Sequence, residues 1–146
     1  MTSSLAKVVF TLESDAPSAT ESLWAKPLGD GLFELDNTPW YARGYALGDV
    51  VRCDEVPGEL PLATELVKPS GNLTVRVFVP AGPEREERKR RVTEALRNHG
   101  CMFEGMGVDK GLVAVTIPTS ADRDLVFQYL NELESAKKAY WESGNF

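Results

Sequence analysis

The sequence predicts an α+β fold, with a small N-terminal β-barrel-like part over residues 1–68 and a C-terminal ferredoxin-like β-α-β-β-α part over residues 69–146. Three observations lead to this expectation. Short runs of alternating apolar and polar residues, separated by Gly, Pro and Asn turns, fill the first half. After Pro69 the runs lengthen, and two of them show the apolar spacing of three and four residues that is typical of amphipathic helices. Their order, strand, helix, two strands and helix, is most of a ferredoxin-like layer.

Alternation and bounding turns define the strands of the first half. Ala6–Glu13 alternates apolar and polar residues and is followed by a break rich in Asp, Pro and Ser. Turns at Leu28–Gly31 and Asp36–Pro39 carry the glycine and proline residues that tight turns require. The further strands predicted in this half are Ser22–Lys26, Leu32–Leu35, Ala46–Cys53 and Ala63–Lys68.

The second half contains the most regular strand and both helices. Leu73–Val79 alternates cleanly, and Pro83 then occupies the position of a first helical residue, before an acidic first turn. Gly100 is expected to end that helix. The remaining predictions are strands over Cys101–Gly105 and Gly111–Ile117 joined near Val108–Gly111, a capping pattern at Thr119–Asp122, and a second helix that continues to Tyr140.

Composition excludes several classes of protein. The 146 residues are 42% hydrophobic and 26% charged, which is ordinary for a globular domain. No apolar run approaches the roughly 20 residues that cross a bilayer. The segment Met1–Lys7 lacks the basic stretch and apolar core of a signal peptide, and Cys53 and Cys101 lie outside any metal or redox spacing. We therefore expect a cytoplasmic protein with reduced thiols and no cofactor or metal.

The net charge of −6 lies entirely in the first half of the chain. Residues 1–68 hold eleven acidic and five basic residues, whereas residues 69–146 hold eleven of each. Nucleic acid is an improbable partner for such a chain, because contacts with phosphate supply most non-specific affinity. The charge favours a basic protein partner, although the needs of solubility would also account for it.

Aromatic, basic and acidic residues of the first half form the candidate binding set. Trp, Tyr and Arg dominate the hot spots of protein interfaces, and carboxylates would face a basic partner. We expect Trp24 to fill the barrel core, and one of Trp40 and Tyr41 to be exposed, because neighbours on a strand face opposite sides. The predicted contact residues are Trp40, Tyr41, Arg43, Asp36, Asp49, Asp54, Glu55 and Glu59.

Asp49 and His99 each have a structural and a catalytic interpretation. The Gly-Asp pair in Leu47–Val51 resembles the box of cradle-loop barrels in which the aspartate caps backbone N–H groups. His99, near a helix C-terminus, is well placed for the helix dipole and for capping carbonyls. A catalytic role would require Asp49, His99 and Glu104 to converge in a cleft.

The helix after Pro83 is rich in arginine and glutamate. The pairs Glu84–Arg88, Glu86–Arg90 and Glu87–Arg91 are four residues apart, in the favourable order for ion pairs. A solvated, salt-bridged face is the better interpretation, because Leu73–Val79 lacks the aromatic motif of an RNA-binding strand.

One long stretch carries a resemblance to a known family. Glu21–Val51 contains Leu-Trp-Ala-Lys-Pro-Leu-Gly-Asp-Gly, Asp-Asn-Thr-Pro and Ala-Leu-Gly-Asp-Val-Val, and it resembles a family of small bacterial proteins described only as a domain of unknown function. The resemblance continues through Lys68–Arg76 and Gly100–Gly105, and it implies a stand-alone bacterial cytoplasmic protein without an assigned reaction. The positions of the family pattern present here are Trp24, Asn37, Pro39, Gly48 and Asp49.

These observations together predict a non-enzymatic protein-binding module. Its expected type is an immunity protein that inhibits a basic bacterial toxin, such as a nuclease, by covering the toxin's active site. The alternative is a regulatory or small-ligand-binding module that uses the ferredoxin-like half. An enzyme acting through Asp49, His99 and Glu104 is the third and least favoured hypothesis.

Overall fold

In the computed structural model, which describes residues 4–104 and 111–146, the first five strands close a small barrel. They are β1 (Ala6–Thr11), β2 (Thr20–Gly29), β3 (Leu32–Leu35), β4 (Val50–Asp54) and β5 (Leu62–Lys68). Consecutive strands pair antiparallel. The barrel closes where β1 and β5 meet in parallel at a single pair, Val9 and Leu62.

The rest of the described chain forms a four-stranded antiparallel sheet with two helices. Its elements are β6 (Leu73–Phe78), α1 (Arg85–Asn98), β7 (Met102–Glu104), β8 (Leu112–Ile117), α2 (Arg123–Ser135) and β9 (Tyr140–Ser143). The strands lie in the order β7, β8, β6, β9. Both helices pack on one face of this sheet, where Val92 and Leu96 from α1 and Val126 and Leu130 from α2 are buried.

Each sheet has its own hydrophobic cluster, and strand alternation explains both. In the barrel, Val8 and Phe10 of β1 point inward while their neighbours point outward, as the two-residue period of a strand requires. In the sheet, Val75 and Val77 of β6 join the cluster under the helices. The opposite face of β6 presents Thr74 and Arg76 to the barrel side of the molecule. The predicted division of the chain after Lys68 stays a prediction.

The predicted fold class is wrong. The described chain is mostly sheet, with nine strands, a closed five-stranded barrel and only two short helices. The predicted ferredoxin-like β-α-β-β-α half is not shown by the described part beyond the barrel, because α2 stops at Ser135 and the segment predicted as its last turn contributes a fourth strand, β9. The apolar spacing of Ala136 and Tyr140 imitates a continuing helix, but Lys137 adopts a positive φ of 58° and ends it.

Some boundaries of individual elements also differ from the predicted ones. The second helix takes Asp122 itself as its N-cap, whose side chain accepts a hydrogen bond from the Leu125 N–H at 3.2 Å. Thr119, predicted to begin the capping pattern, lies before it. The predicted turn near Val108–Gly111 lies, except for Gly111, outside the described residues.

Candidate functional site

A segment between β3 and β4, residues 36–48, joins the barrel to the sheet. We call it the junction segment. On its barrel side, the Glu21 carboxylate accepts hydrogen bonds from the backbone N–H groups of Trp40 at 2.7 Å, Tyr41 at 3.1 Å and Ala42 at 2.8 Å. Three consecutive donors on one carboxylate are charge-assisted bonds, which are stronger than neutral ones. Glu21 therefore fixes the course of the main chain at these three residues.

Arg76 of β6 binds two of these three residues from the sheet. Its Nε donates to the Trp40 carbonyl at 2.5 Å and its Nη2 donates to the Ala42 carbonyl at 2.7 Å. The side chain is only 3% exposed, and burial lowers the pKa of its guanidinium. Within the described residues its Nη1 has no hydrogen-bond partner. Arg76 is therefore a buried cation whose function in the fold is to bind main-chain carbonyls.

Asn37, at the start of the junction segment, connects β2 to β7. Its Oδ1 accepts a hydrogen bond from the Trp24 N–H at 2.8 Å, and its Nδ2 donates to the Glu104 carboxylate at 3.2 Å. The Thr38 and Thr116 hydroxyls lie 2.6 Å apart in the same buried contact. Glu104 is thus part of the contact between the two sheets.

Asp49 caps the end of the junction segment. Its carboxylate accepts hydrogen bonds from the N–H groups of Ala46 at 2.9 Å and Ser70 at 2.8 Å. The residue is 2% exposed, and the preceding Gly48 adopts a φ of 86° that suits glycine. A side chain so buried is not available to a protein partner, so this predicted contact residue has a structural role.

The three residues of the enzyme hypothesis do not converge. Asp49 binds the N–H groups described above, Glu104 binds Asn37, and His99 is the C-cap of α1 with its ring 6.1 Å from that of Tyr129. Within residues 4–104 and 111–146, no group of three His, Cys, Asp or Glu side chains is arranged to hold a metal ion. Neither described helix is long and apolar enough to cross a membrane.

The structure corrects both expectations about the tryptophans. Trp24 is 44% exposed instead of buried, because Leu23 and Ala25 on either side of it fill the barrel. The Lys7 ammonium lies 5.1 Å from its ring centroid. Trp40 and Tyr41 lie outside the strands, and both are half-buried, so the rule of strand alternation does not apply to them.

The remaining predicted contact residues fall into two groups. Arg43 is exposed in the junction segment, with its Nη2 3.5 Å from a carboxylate oxygen of Asp15, and Asp36 lies 4.0 Å from the Lys26 ammonium. The other three acidic residues lie together on the connection between β4 and β5, and all are exposed: Asp54, Glu55 and Glu59.

The β4–β5 connection, residues 54–62, also exposes apolar side chains that were not predicted as contact residues. We call it the acidic hairpin. Val56 is 52% exposed, Leu60 53% and Leu62 38%. It contains three acidic residues and no lysine or arginine. A mixture of acidic and apolar residues could have marked this loop as a contact surface in the sequence. Its proline and glycine residues alone indicate only a connection between strands.

A cleft lies where the sheet meets the junction segment. Two adjoining cavities of about 220 and 290 Å³ share Arg76, Leu112 and Glu142 in their walls. Tyr41 lines the first cavity and Tyr140 the second. A groove of about 370 Å³ also separates the two helices. These concave surfaces are relevant to the small-ligand alternative.

Comparison with known proteins gives a fold and a family. The chain is similar to a solved structure described as a novel crystal structure of a hypothetical protein from Neisseria gonorrhoeae, with 21% identity and a TM-score of 0.78 over 97% of this chain and 94% of that one. A likeness at that identity shows the fold alone. No match is found among curated proteins. The domain of unknown function DUF4265 matches residues 21–141, and the chain therefore belongs to that family.

Proposed function

We propose that this chain is a non-enzymatic protein-binding module that binds a basic protein through the acidic hairpin. The observation that carries the proposal is the exposure of three carboxylates beside three apolar side chains, with no basic residue among them. Apolar side chains supply the area that an interface buries, and carboxylates attract and orient a positively charged partner. The proposed contact residues are Asp54, Glu55, Val56, Glu59, Leu60 and Leu62.

An immunity-type inhibitor is the form of this function that we propose. A toxin that cleaves nucleic acid presents a basic surface at its active site, because it must bind phosphates. A net charge of −6 that lies in the half bearing the hairpin would attract such a surface at long range. We propose the bacterial cytoplasm as the compartment, and the free, buried Cys53 and Cys101 support a reducing one.

The cleft favours a second candidate, a small-ligand module in the C-terminal half. Glu142 would contact a charged group of a ligand, and Leu112 and Tyr140 its apolar part. A ligand bound only by the folded state raises the melting temperature by mass action. A thermal-shift screen of metabolites tests this candidate separately from the acidic hairpin.

Affinity capture from the native host with charge-reversed variants tests the proposed function. The test variant is Asp54→Lys with Glu55→Lys. The matched control is Glu86→Lys with Glu132→Lys, which changes the net charge equally at exposed helix positions. We expect one basic protein to be captured stoichiometrically by the wild type and the control, and its affinity for the test variant to fall by roughly tenfold or more. Equal capture by both variants contradicts the proposal.

A further inference from the structure

The strand β5 pairs with β4 along one side, with two register shifts, and is almost unpaired along the other side. It pairs with β4 from Leu62 to Lys68. Its pairing with β1 is limited to Leu62 and Val9, next to a hydrogen bond from the Val9 N–H to the Pro61 carbonyl at 2.8 Å. Within the described part of the chain, residues 63–68 have no strand partner on the side away from β4. We call this side of β5 the open edge.

Solvent exposure is continuous along most of β5. A strand that is fully closed into a barrel alternates between buried and exposed residues. In β5, however, every residue from Thr64 to Lys68 is exposed. Leu66 is 37% exposed and Val67 is 43% exposed. A register shift against β4 falls at Val67 and interrupts the regular alternation of faces there. An additional strand at this edge would bring new side chains close to both residues.

Unpaired edges bind extended segments by adding a strand, in which main-chain hydrogen bonds give affinity and alternate side chains give selectivity. Natural edges carry features that prevent indiscriminate pairing, such as bulges, lysine and proline. β5 has two register shifts against β4, ends at Lys68, and is followed by Pro69. An added strand at the open edge is therefore short, and main-chain bonds alone do not select it.

Charge determines which extended segment the open edge binds. The open edge continues directly from the acidic hairpin, because β5 begins at Leu62, where the hairpin ends. Glu65 adds a further carboxylate in β5, and it pairs with Arg52 of β4 at 3.0 Å. A second copy of the chain carries the same net charge of −6, which lies in the half of the chain that contains β5. Repulsion thus disfavours self-pairing and favours a basic strand from another protein.

We propose that the open edge of β5 accepts an extended basic segment of the partner protein as an additional β-strand. This inference rests on the proposed function, since it specifies how the partner is bound. The edge determines the chemistry of the partner segment, which is extended and alternates two kinds of residue. Lysine or arginine lies near the acidic hairpin, and small apolar side chains lie against Leu66 and Val67.

Amide hydrogen exchange on the full chain tests the inference. The probe is a synthetic peptide of alternating lysine and valine, as long as β5. The matched control has the same sequence with two adjacent central residues N-methylated, which removes a hydrogen-bond donor from both edges of the peptide. We expect the probe to slow exchange of amides within residues 63–68 and the N-methylated control to bind roughly tenfold more weakly or worse.

Three outcomes would overturn the inference. Equal binding of the two peptides without protection of residues 63–68 would show attraction by the carboxylates alone, and the proposed function would stand without strand addition. Binding of neither peptide would exclude a basic strand at the edge, while affinity capture with the charge-reversed variants would still decide the proposed function. Protection of the same amides by concentrating the protein alone would identify a second copy as the occupant.

Discussion

Glu21 and Arg76 illustrate how single side chains determine the course of a loop. Glu21 binds N–H groups of Trp40 to Ala42, and Arg76 binds carbonyls of Trp40 and Ala42. Within these three residues, N–H groups therefore face the negative charge of Glu21, and carbonyl groups face the positive charge of Arg76. Loss of either side chain would leave buried polar groups unpaired, which costs more than the loss of an exposed contact.

The first prediction concerns Glu21. Glu21→Ala leaves three N–H groups without their acceptor, and we expect the free energy of unfolding to fall by about 2–3 kcal/mol. Glu59→Ala, which removes an exposed carboxylate, is the control and should change the value by less than about 0.5 kcal/mol. Urea denaturation followed by tryptophan fluorescence measures both. Equal effects of the two substitutions would contradict a structural role for Glu21.

At the scale of residues, sequence reasoning succeeded where a local motif was complete. The capping of backbone N–H groups by Asp49 follows from the Gly-Asp pair, and the structure shows that contact. Glu21 was missed because its three partners lie about twenty residues further on, and no local pattern marks a lone glutamate near the start of a strand. Trp24 was misplaced because size and hydrophobicity suggest burial, whereas the phase of β2 determines the face.

The two helices end in the same way, and only one of the endings was visible in the sequence. After α1, the Gly100 N–H donates to the Arg97 carbonyl and the Cys101 N–H to the Leu96 carbonyl. After α2, the Lys137 N–H donates to the Glu134 carbonyl and the Lys138 N–H to the Leu133 carbonyl. Both patterns are Schellman motifs, which need a left-handed residue that is usually glycine.

The second prediction follows from this comparison. Lys137 has a φ of 58°, which costs energy for any residue with a Cβ atom. We expect Lys137→Gly to raise the free energy of unfolding by about 0.5–1 kcal/mol. Ala136→Gly is the matched control, because Ala136 has a φ of −83° and gains nothing from glycine; it should lower the value by about as much. Urea denaturation of both variants checks the signs, and a destabilised Lys137→Gly would contradict the argument.

The boundaries of strands with clear alternation were predicted closely. The errors arose where a strand pairs with residues far away in the sequence. Leu32–Leu35 is β3 as predicted, and β6 ends one residue earlier than predicted. β9 was read as helix because a lysine, not a glycine, ends α2. The open edge of β5 could not be predicted, because it depends on where Val9 meets Leu62 across the barrel.

At the scale of the whole molecule, each hydrophobic cluster contains one cysteine. Cys53 lies in the barrel cluster and Cys101 in the cluster under the helices. Burial raises the pKa of the Cys101 thiol to about 11. Burial first, and then the nearby Glu55 and Asp54 carboxylates, raise the pKa of the Cys53 thiol to about 11. In each half of the molecule, burial therefore favours the protonated form of the thiol.

The third prediction is that alkaline pH destabilises the protein. Between pH 9, the ordinary pKa, and pH 11, the folded thiols keep protons that the unfolded chain releases. The folded state then binds more protons, so the free energy of unfolding falls as pH rises through this range, by at most about 1.4 kcal/mol per thiol and pH unit. Burial also raises the pKa values of Tyr45 and Tyr129, which extends the loss to higher pH.

Urea denaturation at a series of pH values measures this slope. The variant with Cys53→Ala and Cys101→Ala lacks both thiols, and its free energy of unfolding should depend less steeply on pH over the same range, whatever its absolute stability. Parallel slopes for the variant and the wild type would contradict the assignment of the effect to the thiols.

The junction segment has a consequence for how the sequence of this protein can diverge. Glu21 and Arg76 hold residues 40–42 through main-chain atoms, and every residue type except proline supplies the same N–H and carbonyl groups. The path of residues 40–42 is therefore encoded in β2 and β6 and not in those three residues. A combinatorial library at positions 40 and 43 would vary the side chains of this surface, while Glu21 and Arg76 keep the path of its backbone unchanged.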